Sequence, residues 1–254
     1  MSDFTNRAVL VTGSARRLGQ AIARHLAAEG WDVGIHFLTS SKDASEFADE
    51  LKSMGRKCYL YKCDLRSEAD IQTMVNTFKT DFATPILLVN SASIFKRDRV
   101  ETLDAEIWDD HMRVNALAPT LLTKYFCASV TADANVINIL DQKVSWPTPD
   151  FFSYTVSKTA LATITRLLAM EYHGRCRVNA VAPGLTLQSG DQTAEEFKRV
   201  HSNTPLGVGP TVDEICQAVS FLANARSVTG QIITIDGGRH LLRPIAPFND
   251  LPKE

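Results

Sequence analysis

The chain has 254 residues, of which 44% are hydrophobic and 22% are charged, and its formal net charge is -2. This is the composition of an ordinary globular protein, and it excludes the broad positive surface of a nucleic-acid-binding protein. The sequence contains no run of about 18 apolar residues, so we expect no membrane-spanning helix.

Two further features indicate a cytoplasmic protein. The first residues lead into an apolar segment without the pattern of a signal peptide. The five cysteines are scattered, and no two form a CxxC pair. Cysteines in this arrangement are more often buried, reduced thiols than a disulfide framework, and we predict no metal centre.

Short apolar segments alternate with amphipathic ones along the whole chain. Strands are predicted at 8–11, 31–37, 58–65, 86–89, 136–140, 178–181 and 231–235. Helices are predicted at 18–28, 41–54, 67–78, 154–170 and 211–223, with one long helix or two abutting helices over 103–130. This alternation predicts an α/β fold, a doubly wound parallel sheet of the Rossmann type with helices on both faces. We expect a single domain over residues 1–254, with an irregular tail from about residue 241.

The turn between the first strand and the first helix is a candidate phosphate-binding site. It reads TGSARRLG over residues 12–19. Gly13 can adopt a positive φ and allow close approach of a phosphate, which the amides and dipole of the following helix attract. Arg17 stands where the usual three-glycine turn has a glycine, and we expect it to contact phosphate. The predicted cofactor ligands here are Gly13, Arg17, Leu18 and Gly19.

The end of the second strand indicates which dinucleotide binds. An acidic residue there would bind the ribose 2′-hydroxyl of NAD and repel the 2′-phosphate of NADP. No acid occurs until Asp43, and the hydroxyls of Thr39 and Ser40 suit a phosphate, so we predict NADPH. His36 is either a ligand or a packed residue. Asp64, after the third strand, either accepts a hydrogen bond from the adenine amino group or caps its turn.

Tyr154 and Lys158 are four residues apart on a predicted helix, so they lie on the same face. An ammonium group near a phenol favours the phenolate, so we expect Lys158 to lower the pKa of Tyr154. Such a pair can deliver a proton while a nicotinamide delivers a hydride.

Taken together, these features resemble the short-chain dehydrogenase/reductase family over roughly residues 7–240. The shared motifs are the TGxxxxxG turn, the YxxxK pair, NSAS at 90–93, Asn115, and Pro183-Gly184. The resemblance implies that Tyr154 is the general acid, that Lys158 holds the nicotinamide ribose, and that Asn115 anchors a water on the proton relay. It also implies a cofactor cleft lined by Asn90, Ala92, Pro183, Gly184 and Thr186, and a homotetramer.

One position departs from the general family pattern. The family usually has a serine 13 residues before the tyrosine, where this chain has Asp141. A carboxylate would crowd the negative charge of an alkoxide but suits a substrate with ring nitrogens. This aspartate, Arg17 and the NxASxF motif resemble the pteridine reductase branch, which implies substrate binding by Arg17, Ser93, Phe95, Asp141 and Tyr154.

Two other departures concern the cofactor cleft. Leu38 and Thr39 stand where the family has a basic residue after the second strand, and Ser91 replaces an asparagine. Two of the substrate candidates could also serve the fold alone, since Phe95 could anchor a loop and Asp141 could cap a strand end.

We therefore predict NADPH-dependent reduction of a pterin, of the biopterin, dihydropterin or dihydrofolate type. The alternatives are a carbonyl reductase of the 3-oxoacyl type and a dinucleotide-sensing protein without catalytic activity. The sensor is disfavoured by the intact Asn115, Tyr154 and Lys158, because a sensor needs none of them.

Overall fold

A computed structural model of the chain describes residues 7–128, 133–188 and 192–242. The predicted irregular tail therefore lies almost wholly outside the described residues. Within them, no helix is both long enough and apolar enough to cross a bilayer. All five cysteines are free and buried, as the sequence predicts.

Seven parallel strands form one sheet in the order β3-β2-β1-β4-β5-β6-β7. The chain starts at β1 and adds β2 and β3 toward one edge of the sheet. It then returns to place β4 beside β1 and adds β5, β6 and β7 toward the other edge. The carboxyl ends of β1 and β4 therefore flank the point where strand order reverses, the usual place for a ligand in such sheets. The strands are β1 (Arg7–Val11), β2 (Asp32–Phe37), β3 (Cys58–Lys62), β4 (Thr84–Asn90), β5 (Ala134–Ile139), β6 (Cys176–Pro183) and β7 (Ile232–Ile235).

Helices cover both faces of the sheet. One hydrophobic core joins the sheet to α1, α2 and α8, and a second joins the opposite face to α3, α5 and the end of α6. This arrangement confirms the doubly wound α/β fold. The helices are α1 (Arg17–Ala28), α2 (Ser41–Ser53), α3 (Glu68–Asp81), α4 (Ala105–Met112), α5 (Ala118–Cys127), α6 (Phe152–Glu171), α7 (Ala194–Ser202) and α8 (Val212–Asn224).

The segment predicted as one or two helices consists of α4 and α5 joined by a π-helical turn, Arg113–Leu117. Pro119 accounts for this break, because proline has no N–H to donate to the carbonyl of Asn115 four residues earlier. Asn115 lies inside the π-helical turn and is completely buried. The irregularity therefore coincides with a candidate site residue.

Sequence reasoning missed α7. Its start carries a reciprocal cap, in which Thr193 accepts the N–H of Glu196 and Glu196 accepts the N–H of Thr193. This TxxE pattern could have revealed the helix. The helix lies between β6 and α8, after the segment that follows Pro183.

Candidate active site

The phosphate turn requires glycine at two places. Gly13 has a φ of +65°, and a Cβ there would lie 2.9 Å from the Cα of Ala92. A Cβ on Gly19 would lie 2.4 Å from the carbonyl oxygen of Gly13. The turn thus packs directly on the segment after β4 and on the first turn of α1.

The start of α1 leaves its amides available to an anion. Arg16 occupies the N-cap position without a capping side-chain hydrogen bond, and the first turn contains no acidic residue. Free N–H groups and the positive end of the helix dipole favour a phosphate here. Leu18 is half-buried in the same turn.

Arg17 adopts a φ of +55°, unusual for a residue other than glycine. Its guanidinium is exposed, and Nη2 donates a 2.8 Å hydrogen bond to the carbonyl of Gln188, in the segment after β6. Arg17 therefore bridges the phosphate turn to the segment that contains Thr186, one of the candidate cofactor residues.

His36 does not reach the surface as a free ligand. It is buried, its Nδ1 accepts the N–H of Gly13 at 2.9 Å, and its Nε2 donates to the carbonyl of Cys63 at 3.1 Å. Burial lowers the pKa of His36 to about 4, so the imidazole is neutral. The expectation of a direct cofactor contact is thereby corrected: both ring nitrogens hold protein backbone, and the ring supports the phosphate turn from behind.

Thr12 is a site residue to which the sequence alone assigned no role. Its buried hydroxyl oxygen accepts the N–H groups of Ser91 at 2.9 Å and Ala92 at 3.0 Å. The threonine of the TG motif therefore fixes the turn after β1 to the turn after β4. Its position directly before Gly13, in the TG motif, was the sequence feature that could have indicated this role.

The end of β2 combines hydroxyl groups with a charge pair. Thr39 is exposed and Ser40 half-exposed at the start of α2. Beside them, the guanidinium of Arg16 lies 2.6 Å from the carboxylate of Asp43. Arg16 stands one position before Arg17, and the sequence alone assigned it no role. A cation therefore lies near these hydroxyl groups at the start of α2.

Asp64 follows β3, and its Oδ1 accepts the N–H of Arg66 at 2.9 Å. This contact caps the turn into α3, which is one of the two roles that the sequence allowed for Asp64. Its contact with adenine stays a prediction.

Asn90 carries an unpaired acceptor deep in the site. Its Nδ2 donates to Asn138 at 2.8 Å, and Asn138 donates to Thr165 at 2.9 Å. The Oδ1 of Asn90 is buried and has no hydrogen-bond partner among the described residues. Because unpaired buried acceptors are costly, this oxygen suits a ligand hydroxyl or amide.

The end of β6 carries three further candidate cofactor residues, Pro183, Gly184 and Thr186. Pro183 closes the strand, and the N–H of Gly184 donates to the carbonyl of Ile235 at 2.8 Å. A Cβ on Gly184 would lie 2.8 Å from the Cα of Asp236, so only glycine fits. Thr186 is half-buried, and its hydroxyl donates to the carbonyl of Gly184 at 2.9 Å.

The phenol of Tyr154 is buried, and its hydroxyl donates a 3.0 Å hydrogen bond to Oδ2 of Asp141. The other oxygen of Asp141 accepts the N–H of Lys143 at 2.9 Å, which caps a short 3-10 turn, Gln142–Val144. Asp141 is thus both a cap and a partner of the candidate acid. Burial raises the pKa of Asp141 above that of an ordinary aspartate.

Lys158 is buried below Tyr154, and its Nζ donates to the carbonyl of Ile139 at 2.8 Å. Burial lowers the pKa of Lys158 to about 8, against the opposing effect of Asp141. Burial and the charge of Asp141 raise the pKa of Tyr154 well above 10. The expected fall in the pKa of Tyr154 is therefore wrong for this arrangement, and the phenol stays protonated at neutral pH.

Asn115 uses all four hydrogen-bonding positions of its side-chain amide within the protein. Its Oδ1 accepts the N–H of Ile94 at 2.8 Å and the hydroxyl of Ser93 at 3.2 Å. Its Nδ2 donates to the carbonyl of Ile94 at 2.9 Å and to the hydroxyl of Ser157 at 3.1 Å. The side-chain amide therefore has no position free for a water, and it positions the segment that contains Ser93 and Phe95. Because the backbone carbonyl of Asn115 receives no N–H from Pro119, a water contact of this residue stays a prediction.

Phe95 is 45% exposed and lies against two aromatic rings. It stacks on Phe151 with centroids 4.2 Å apart, and it meets Tyr154 edge-on at 4.7 Å. The candidate acid therefore lies beside an accessible aromatic surface, which suits a flat ring.

Residues 13–240 match the family model described as enoyl-(acyl carrier protein) reductase. The chain belongs to the short-chain dehydrogenase/reductase family. An oxidoreductase from Thermotoga maritima is 32% identical to it over 250 residues, covering 93% of this chain and 98% of the relative. The 3-oxoacyl-(acyl-carrier-protein) reductase FabG of Staphylococcus epidermidis is 26% identical over 250 residues, covering 93% of this chain and all of the relative.

Solved structures of the family resemble the chain more strongly. FolM alternative dihydrofolate reductase 1 from Brucella canis, crystallised with NADP, is 39% identical, with a TM-score of 0.90. The similarity covers 96% of this chain and 98% of that chain. The protein of the same name from Brucella suis, also in complex with NADP, gives the same identity and TM-score and covers 95% of this chain.

Proposed function

We propose that this short-chain reductase uses NADPH to reduce a pterin ring of the biopterin, dihydropterin or dihydrofolate type. The observation that carries the proposal is the 3.0 Å hydrogen bond between Tyr154 and Asp141 beside the exposed face of Phe95. A pterin needs both an aromatic surface and a group that pairs with its exocyclic amine and ring nitrogens.

The residues at the point where the strand order reverses, between β1 and β4, fit NADPH. The uncapped start of α1 suits the pyrophosphate, and the orphaned Oδ1 of Asn90 suits a hydroxyl or amide of the dinucleotide. Arg16, Thr39 and Ser40 would contact the 2′-phosphate of NADPH. When bound, NADPH supplies the hydride. The Brucella proteins named FolM, with their bound NADP, support this choice.

The proton would come from Tyr154. Its raised pKa keeps the phenol protonated at neutral pH, and the ammonium of Lys158 can stabilise the phenolate left behind. The raised pKa of Asp141 favours a shared proton between the carboxyl and the phenol. Phe95, Ser93 and Arg17 would hold the substrate ring above this pair.

A second candidate is the reduction of a 3-oxoacyl thioester or another ketone, which the similarity to FabG favours. Against it stands Asp141, because its carboxylate would lie beside the alkoxide that forms from a ketone. A dinucleotide sensor would require neither Tyr154 nor Lys158.

The test is NADPH oxidation measured with biopterin, dihydrobiopterin, dihydrofolate and a 3-oxoacyl thioester. We expect the highest kcat/KM with a pterin or folate. Phe95→Leu should raise the KM of that substrate while leaving the KM of NADPH within about twofold. If the wild-type protein preferred the 3-oxoacyl thioester, the pterin proposal would be wrong and the carbonyl reductase function would be favoured.

We propose a homotetramer as well, from the family resemblance. Leu117, Leu167 and Met170 are exposed apolar side chains near Asn115 and on α6, where burial by another subunit would be favourable. Light scattering measures the molar mass of the assembly in solution. We expect Leu167→Glu to reduce that mass, because a buried carboxylate would weaken the contact between subunits. The cytoplasmic location stays a prediction.

A further inference from the structure

A buried polar network lies next to the candidate active site without belonging to it. It joins three segments that are far apart in sequence: Asp98 from the loop after β4, His111 from α4, and Ser153 from the first turn of α6. All three side chains are at most 2% exposed. Buried polar groups of this kind persist only when they are paired with one another or with backbone.

The hydrogen bonds of the network have a single consistent direction. Ser153 donates its hydroxyl to the carboxylate of Asp98, and its backbone N–H lies 3.2 Å from both oxygens of that carboxylate. Since the serine proton points to Asp98, Nδ1 of His111 must donate to the serine oxygen, 2.6 Å away. Nε2 of His111 then accepts the N–H of Lys96 at 3.2 Å.

This direction requires a neutral histidine, and burial indeed lowers the pKa of His111. It also excludes a hydrolytic triad. In a triad the histidine would accept the serine proton, whereas here the aspartate accepts it directly and the serine is completely buried. The network therefore holds structure together and performs no chemistry of its own.

Asp98 also replaces a missing helix cap. The N-cap position of α6 is Phe151, which has a φ of +54° and no capping side-chain hydrogen bond. The carboxylate of Asp98 accepts an N–H of the first turn from another segment and places negative charge at the positive end of a 20-residue helix. The loop after β4 is thus tied to the residue that precedes Tyr154.

The two ends of the network touch the neighbours of two candidate site residues. Lys96, which binds Nε2 of His111, follows Phe95, and Ser153 precedes Tyr154. Phe95 and Tyr154 meet edge-on at 4.7 Å. We propose that Asp98, His111 and Ser153 are positioning residues that set the spacing between Phe95 and Tyr154 and thereby control substrate binding and turnover, but not cofactor binding. The inference rests on the proposed substrate site.

The variants Asp98→Asn and Ser153→Ala test it, and Ser153→Thr should restore the hydroxyl and the activity. Asp104→Asn is the matched control, because Asp104 lies in the same region and accepts two backbone N–H groups, but at the start of α4. We expect Asp98→Asn and Ser153→Ala to lower kcat/KM for the preferred substrate at least about fivefold, with Asp98→Asn the more severe. The Kd of NADPH, measured by fluorescence, should stay within about twofold of the wild type.

Hydrogen exchange of segments 94–104 and 151–157 provides a readout that does not depend on the substrate. We expect faster exchange in both segments of the Asp98→Asn protein and unchanged exchange in α1. Unchanged exchange and kinetics in a folded Asp98→Asn protein would overturn the inference. Equal losses of substrate and NADPH binding, or equal losses in Asp104→Asn, would also overturn it. Failure of the wild-type protein to reduce pterins would refute the proposed function. The hydrogen-exchange data would still test whether Asp98, His111 and Ser153 hold the two segments in place.

Discussion

The hydroxyl of Tyr154 donates to the carboxylate of Asp141 across 3.0 Å, joining the first turns of α6 to the end of β5. Thirteen positions separate the two residues in the chain, yet a hydrogen bond joins them. Burial raises the pKa of both groups, so the pair as a whole favours its protonated state. The phenol of Tyr154 is therefore protonated at neutral pH.

Removal of the phenol hydroxyl should stop turnover without releasing the cofactor. Tyr154→Phe keeps the ring against Phe95 but removes the proton, so we expect kcat to fall at least about a hundredfold. The Kd of NADPH should change little. Single-turnover kinetics and a fluorescence titration measure the two quantities. A Tyr154→Phe protein with most of its turnover would contradict the assigned acid.

Lys158→Ala should damage both turnover and cofactor binding. Its ammonium group lies under Tyr154 and is expected to contact the nicotinamide ribose. Lys158→Arg is the matched variant, because arginine keeps the positive charge but replaces the compact ammonium group with a planar guanidinium group. If NADPH bound to Lys158→Ala as tightly as to the wild type, the ribose contact would be wrong.

Asp141→Ser should restore the residue common to carbonyl reductases of the family. We expect pterin reduction to fall at least about tenfold, which corresponds to about 1.4 kcal/mol of transition-state stabilisation. Weak activity on a 3-oxoacyl substrate should increase. Steady-state kinetics of both proteins on both substrates decide the matter, and equal pterin reduction by the serine variant would contradict a role for the carboxylate.

NADPH should bind more tightly than NADH, and Arg16 should account for part of the difference. Its guanidinium pairs with Asp43 at 2.6 Å on the surface, where a 2′-phosphate can compete for it. Arg16→Ala should weaken NADPH about fivefold more than NADH. Asp43→Asn should not weaken NADPH.

Arg17→Ala separates the two arginines. Because Arg17 reaches the segment after β6, its loss should affect both dinucleotides and raise the KM of the substrate. A loss confined to NADPH would instead assign the 2′-phosphate to Arg17. Calorimetric titration with both cofactors distinguishes these outcomes.

His36 should make the fold sensitive to acid. Its pKa is about 4 in the folded protein, and an unfolded histidine has a pKa of about 6.5. Between these values the unfolded chain binds the additional proton, so the free energy of unfolding falls as the pH falls. The full effect is about 3 kcal/mol and is absent above pH 6.5 or so.

Urea unfolding at several pH values between about 4.5 and 7.5 measures this slope. His36→Gln should give a flatter dependence, because glutamine does not titrate. A variant with the slope of the wild type would show that other groups cause the acid sensitivity.

Local sequence patterns determined the architecture and the main parts of the site. Apolar segments of strand length and amphipathic segments of helix length predict the alternating order of strands and helices. Each pattern is local, because it depends only on which faces of a single strand or helix are buried. The phosphate turn and the pair formed by Tyr154 and Lys158 are likewise local, because their spacing along the chain fixes their spacing in space.

Only the tertiary structure decided what the long-range contacts do. His36 lies behind the phosphate turn, although its position in the sequence also allowed a ligand. The pKa of Tyr154 rises where the nearby Lys158 predicted a fall, because burial and Asp141 raise it. The contact between Asp98 and Ser153 joins residues 55 positions apart. Burial and contacts of this range depend on how all the elements pack, and no periodicity or short motif in the chain records them.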